Sequence, residues 1–310
     1  MTRWLPSFTT ACFCGVLLTG AAWLAWRRPT GGLAPSTVHA QTAPPHAHAD
    51  AQAQRLLARA AETLTRRKSV SAELSQTVRL YGQELLARGS YVQGPARTGW
   101  LLLDLKIKAD KSDSFVQQRC DGESLWTLRS ADGLPSLSRV DVRRVTQRRA
   151  ETSGLPMPMI GVGGLPELLL GLQRSFEYDA VNEATLTRGS EKLRVYALSG
   201  RWRPAMLVHW LPDQKADIEA GKPADLSKLP PMLPDRVFVL LGRDDLFLYR
   251  VEYVREATDK KSREGEGPFV SFNLAEVVFD QPVERRQFAF ERGTLPAVDA
   301  TDAYLARQPP

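Results

Sequence analysis

The chain has 310 residues, 43% of them hydrophobic and 25% charged, enough for one large domain or two small ones that can bury a core without disulfides or metals. Wholesale disorder, collagen and multi-span membrane architectures are excluded. The formal charge is +6, but Arg3, Arg27 and Arg28 supply half of it before residue 40; beyond them basic and acidic residues nearly balance, which gives no reason to expect a nucleic-acid partner.

Cysteine and histidine are sparse. Cys12 and Cys14 sit in an apolar N-terminal stretch and leave Cys120 alone in the body. His39, His46 and His48 lie in a Pro/Ala-rich segment, which leaves His209. No disulfide framework, cysteine zinc site or multi-histidine centre is expected, and no cofactor.

Residues 8–26, FTTACFCGVLLTGAAWLAW, are uncharged and follow a basic start. As a helix they would reach about 28 Å, close to the thickness of a bilayer core. Residues 1–28 therefore read as an export signal, either cleaved after Val38-His39-Ala40 or retained as an anchor. Residues 29–50 are rich in Pro, Ala, Gly and Ser and read as a linker. Residues 51–310 are the folded body.

A helix is predicted from a cap at Asp50 through Leu56, Leu57, Ala60 and Leu64 to Arg66–Lys68. The period then changes to two. Val70, Ala72, Leu74, Val78 and Leu80 share a strand face interrupted only by Gln76. A turn at Tyr81-Gly82 leads to a strand through Leu85, Ala87 and Tyr91, and Gly94-Pro95 to one through Leu101, Leu103, Leu105 and Ile107. Asp121-Gly122 joins strands 115–120 and 125–128 as a hairpin. Residues 140–152 are basic and helical in pattern; 154–164 are a Gly/Pro/Met loop. Pro166-Glu167 opens a short helix carrying Leu168, Leu169 and Leu170. Strands follow at 176–186 and 192–198. A short helix with Met206, Leu207, Trp210 and Leu211 stands in a proline-rich connection to residue 235. Strands at 237–241, 246–254 and 270–279 complete one curved antiparallel sheet. Parallel α/β folds need long helical crossovers, and none fits.

Catalytic chemistry finds little support. Cys120 and His209 are the one conceivable nucleophile–base pair, and the thiol reads better as packed in a strand. Asp244 and Asp245 occupy a turn, where aspartate satisfies backbone donors. Gly161-Val162-Gly163-Gly164 lacks the lysine and hydroxyl residue of a phosphate loop. Arg139, Arg143, Arg144 and Arg148 form a basic run suited to an anionic lipid surface or an inner-membrane partner, or simply to solvent. The strongest bias is apolar: both faces of Val237–Leu241, the leucine helix and the Met-bearing loop.

In chain order, LLARAAETLTRRKSVSAELSQTV, RGSYVQGPARTGWLLLDL, QQRCDGESLWTL, LPELLLGLQRSFEYDAV and FNLAEVVFDQPVERRQFAFERGTLPAVD resemble segments of the periplasmic outer-membrane lipoprotein carriers of the LolA/LolB type. The family places an arginine before the proline of the second turn; here Gly94 precedes Pro95. The resemblance implies an α+β fold, a half-open antiparallel β-barrel with helices covering its concave face. It implies a non-enzymatic, exported carrier in the periplasm that holds acyl chains of lipoproteins or other lipids in an apolar cavity during transfer between membranes. The alternative is a membrane-anchored sensor of the same fold. Leu101, Leu103, Trp126, Leu168, Leu169, Phe247 and Tyr249 are the expected cavity and lid residues.

Overall fold

The computed structural model describes residues 46–80, 83–108, 113–131, 133–151, 160–255 and 268–306. The export segment, most of the linker, the turn at Tyr81-Gly82 and residues 152–159 of the Gly/Pro/Met loop lie outside them. Among the described residues no helix is long and apolar enough to cross a membrane.

Helix α1 (His46–Arg66) begins a turn earlier than expected. Asp50 does not cap it. Its carboxylate instead accepts the backbone N–H of Tyr178 at 2.9 Å, tying the helix to a distant strand. Strands β1 (Val70–Leu80), β2 (Gln83–Gln93), β3 (Trp100–Lys108), β4 (Asp113–Asp121), β5 (Ser124–Ala131) and β6 (Leu134–Asp141) then form an antiparallel meander. Gly122 makes the β4–β5 turn at φ +93°, and a Cβ there would stand 2.2 Å from the carbonyl oxygen of Thr98. Only glycine satisfies both conditions.

Two helices follow, α2 (Val142–Glu151) and α3 (Gly164–Ser175). A second meander comprises β7 (Phe176–Arg188), β8 (Glu191–Trp202), β9 (Arg236–Gly242), β10 (Leu248–Val254) and β11 (Val270–Phe279). Helices α4 (Pro204–Trp210) and α5 (Lys215–Glu219) lie in the β8–β9 connection, and β12 (Ala297–Asp299) and α6 (Thr301–Leu305) close the described chain.

The two meanders become one sheet where β1 pairs with β11. Its order is β12-β6-β5-β4-β3-β2-β1-β11-β10-β9-β8-β7, open at both ends. Among the described strands only the three-residue β12 runs parallel to its neighbour, β6. The expected α+β half-open barrel is therefore the observed architecture.

Helix α3 shows how strongly the sheet curls. Its first turn bonds to β2, and its last residue runs straight into β7. Six strand spacings separate those strands, about 29 Å if flat. Twelve residues of helix span only about 18 Å. The helix is a chord across a concave surface, and α1 packs beside it against β7.

Candidate functional site

Strand alternation builds the concave wall. Leu101, Leu103, Leu105 and Ile107 of β3 stand opposite Gln93, Tyr91, Gly89 and Ala87 of β2. Opposed residues of an antiparallel pair share a face. The same face takes Ala72 and Leu74 from β1 and Leu274 from β11. Apolar side chains thus dominate the centre of the wall, and they are buried.

Helix α3 seats its leucines on this wall. Leu165, Leu168, Leu169 and Leu172 are buried, and Leu169 is 0% exposed. Glu167 and Arg174 pair on the exposed side. The seat is held at the N-terminal end, where the Leu165 N–H is shared between Tyr91 Oη at 3.1 Å and Gln93 Oε1 at 3.2 Å. Tyr91 in turn donates its hydroxyl proton to Gln93. Burial pushes the Tyr91 phenol far above its usual value, so it keeps that proton. These contacts satisfy a helix-terminal N–H that would otherwise be orphaned. Gly163 precedes the helix at φ +89° and Gly164 opens it at φ +62°, so the entry to α3 is a backbone that side-chain-bearing residues resist.

Of the residues expected from sequence, Leu101, Leu103, Leu168 and Leu169 come together. Register sets Leu101 beside Gln93 and Leu103 beside Tyr91, directly under the start of α3. Phe247 and Tyr249 are buried in the same core but gather at the β9–β10 turn. There Phe247 meets Tyr249 and Phe279 edge-on. Tyr249 donates to Asp245 at 2.7 Å, and Arg188 lies over its ring. Trp126 is on the other side of the sheet. It opposes Arg119, which opposes Leu102, so it has the parity of the convex face. It stacks there on Phe290 with ring centroids 5.5 Å apart. The one-residue alternation that separates Leu102 from Leu103 is what displaces it.

Sequence reasoning passed over the polar members of the concave wall. Tyr91 and Gln93 hold α3. Gln76, Gln118 and Thr127 have the same parity and are buried. The interruption of β1 by Gln76 was the available signal, repeated by Gln93 among the apolar-face positions of β2 and by Gln118 among those of β4.

Cys120 faces Leu101 and Leu125 on this wall. Burial pushes its thiol up to about 11, with a smaller contribution from Asp121, so at neutral pH it is an un-ionised, packed thiol. His209 stands on α4, edge-on to Trp210. Among the described residues no group of three or more His, Cys, Asp or Glu is placed to hold a metal ion. The basic run is divided. Arg139 lies over Trp126 on the convex face, whereas α2 buries Val142 and Val145 and exposes Arg143, Arg144 and Arg148. Arg143 pairs with Glu123 at 3.4 Å and Arg144 with Asp302 at 2.7 Å.

No protein-family model matches the sequence, and no curated protein matches it. Solved structures of similar fold are found. An uncharacterized conserved protein from Thermus thermophilus covers 80% of this chain and 99% of its own at 11% identity, TM-score 0.40. The Mycobacterium tuberculosis lipoprotein LppX covers 76% and 98% at 11% identity, TM-score 0.37. A LolA superfamily protein from Nitrosomonas europaea covers 77% and 97% at 11% identity, TM-score 0.27.

Proposed function

We propose that the protein is an exported, non-enzymatic carrier that binds the acyl chains of lipoproteins or other lipids between the concave wall and α3, and transfers them between membranes. The carrying observation is the seat of α3. A helix with four buried leucines fills the apolar concavity, fixed at its N-terminal end by one shared N–H. An acyl chain offers the wall the same surface that these leucines offer. The ligand therefore takes the leucines' place on the wall, and α3 lifts to close over it as a lid with its leucines against the acyl chain. Each acyl CH₂ buried contributes about 0.8 kcal/mol, so several suffice for reversible binding. Residues 51–310 are the carrier domain in this reading, and residues 1–28 direct export. Arg143, Arg144 and Arg148 face an anionic membrane surface or membrane-bound partner.

Leu169→Asp tests the lid. It puts a carboxylate against the apolar wall, where burial is costly. With the strand signature in circular dichroism retained, affinity for a fluorescent fatty-acyl probe should fall at least tenfold, about 1.4 kcal/mol. Unchanged affinity would remove Leu169 from the ligand's surroundings, and collapse of the fold would make the leucines plain core.

A further inference from the structure

The concave wall is not uniformly apolar, and its polar places are incompletely satisfied. Gln118 on β4 stands between Leu103 of β3 and Thr127 of β5. Its Nε2 donates to Thr127 Oγ1 at 3.3 Å. Among the described residues its Oε1 accepts no hydrogen bond, although the residue is only 5% exposed. Gln76 on β1, 2% exposed, likewise has an Oε1 without a donor among the described residues. A buried amide oxygen without a donor loses its water and gains nothing in return. A leucine, valine or methionine at these positions would complete the apolar wall without that cost. Gln118 is the better placed of the two, because Thr127 holds its amide and leaves Oε1 directed away from that bond.

We propose that Gln118, oriented by Thr127, is a polar subsite within the apolar concavity, taking an N–H or O–H donor carried beside the ligand's acyl chain. This rests on the acyl-binding reading and narrows it. The favoured ligand carries an amide N–H or a hydroxyl at the head of its chain; a purely hydrocarbon or ester-headed chain leaves Oε1 unpaired. The subsite lies on the same face as Tyr91 and Leu103, two strands from the seat of α3. An acyl chain on the leucine-lined centre can therefore extend its head toward β4 and β5.

The test is competitive displacement of a fluorescent acyl probe from full-length, lipid-stripped protein by matched pairs of ligands. One pair is N-methyldodecanamide and N,N-dimethyldodecanamide; the other is dodecanol and its methyl ether. The added methyl favours the donor-less member of each pair by burial, and a steric penalty against it would persist in Gln118→Met, so a preference lost in that variant reports the hydrogen bond. The unmutated protein should prefer the donor at least fivefold in one or both pairs. The pair that shows it distinguishes an amide from a hydroxyl head. In Gln118→Met the ratio should fall below twofold. Equal affinity of both members for the unmutated protein would overturn the subsite while leaving acyl binding intact. So would a preference that survives Gln118→Met but disappears in Gln76→Met. If no member of either pair displaces the probe and the probe itself does not bind, the acyl-binding reading fails first, and the subsite with it.

Discussion

At the residue scale the account depends on a few side chains whose neighbours leave little latitude. Gly164 has φ +62°, and a Cβ on it would lie 2.3 Å from Gln93 Oε1 and 2.6 Å from Tyr91 Oη. Gly164→Ala therefore strains the backbone and pushes away the two acceptors that hold Leu165. The left-handed conformation alone costs about 1–3 kcal/mol, so a drop of at least that size is expected in urea unfolding. An unchanged midpoint would mean that this contact does not fix α3. Cys120→Ser is expected to cost at most about 1 kcal/mol and leave probe binding intact; lost binding with the fold retained would give the thiol a functional role. The concave leucines of β3 were legible from alternation alone. Trp126 was not, because a strand's period says which residues share a side, not which side is concave. Gln76 showed only as an interruption and Gln118 not at all, since their oxygens lose their water only once the sheet and helices enclose them.

At the element scale, strands with a clean period of two, such as β1 and β3, were read nearly to their ends. Strand β6 was missed. Its sequence, LPSLSRVD, has no alternation, because it lies near the sheet edge and only Leu137 to Arg139 have β12 alongside. Pro135 stands outside that paired stretch, where a missing N–H is tolerated. The proline-rich β8–β9 connection offered few periodic signals, yet it buries Leu211, Ile218, Leu229 and Leu233. Trp202 clamps its two ends by donating to the Pro234 carbonyl at 2.6 Å.

The far edge of the sheet also carries an ionic staple. Asp179 of β7 accepts from Arg201 of β8 at 2.9 Å and from Arg236 of β9. Burial alone would raise its carboxyl, but these arginines and Ser199 outweigh it and hold it below the ordinary value. A depressed folded value means the contribution is complete above the unfolded value, about 3.9. It is lost as pH falls below that through the folded one. The stability gap between the unmutated protein and Asp179→Asn should therefore be constant from neutral pH to about pH 5 and narrow below pH 4. A gap of equal size at pH 3 and pH 7 would show that the carboxylate's charge contributes nothing.

At the scale of the whole molecule, one geometric relation links fold to function. A twelve-residue helix joins strands that a flat sheet would hold much farther apart, so the sheet must be concave and the helix must span it. In the proposed function α3 is the segment that opens. It is tethered to β7 without a linker at one end and held at the other by a shared N–H, behind a Gly-rich approach. The sequence showed the leucine helix and the flexible composition before it. It did not show the chord, because the pairing of β1 with β11 that unites the two meanders is set by contacts about two hundred residues apart and leaves no local signature. The central claim is that the concavity exchanges α3's leucines for acyl chains. Equilibrium titration of lipid-stripped, full-length protein with a fluorescent acyl probe tests it most directly. The account predicts saturable binding, reversed by unlabelled acyl ligand and accompanied by faster hydrogen exchange of the Leu165 amide as α3 leaves Tyr91 and Gln93. Absence of saturable binding, or binding that leaves Leu165 as protected as before, would contradict it.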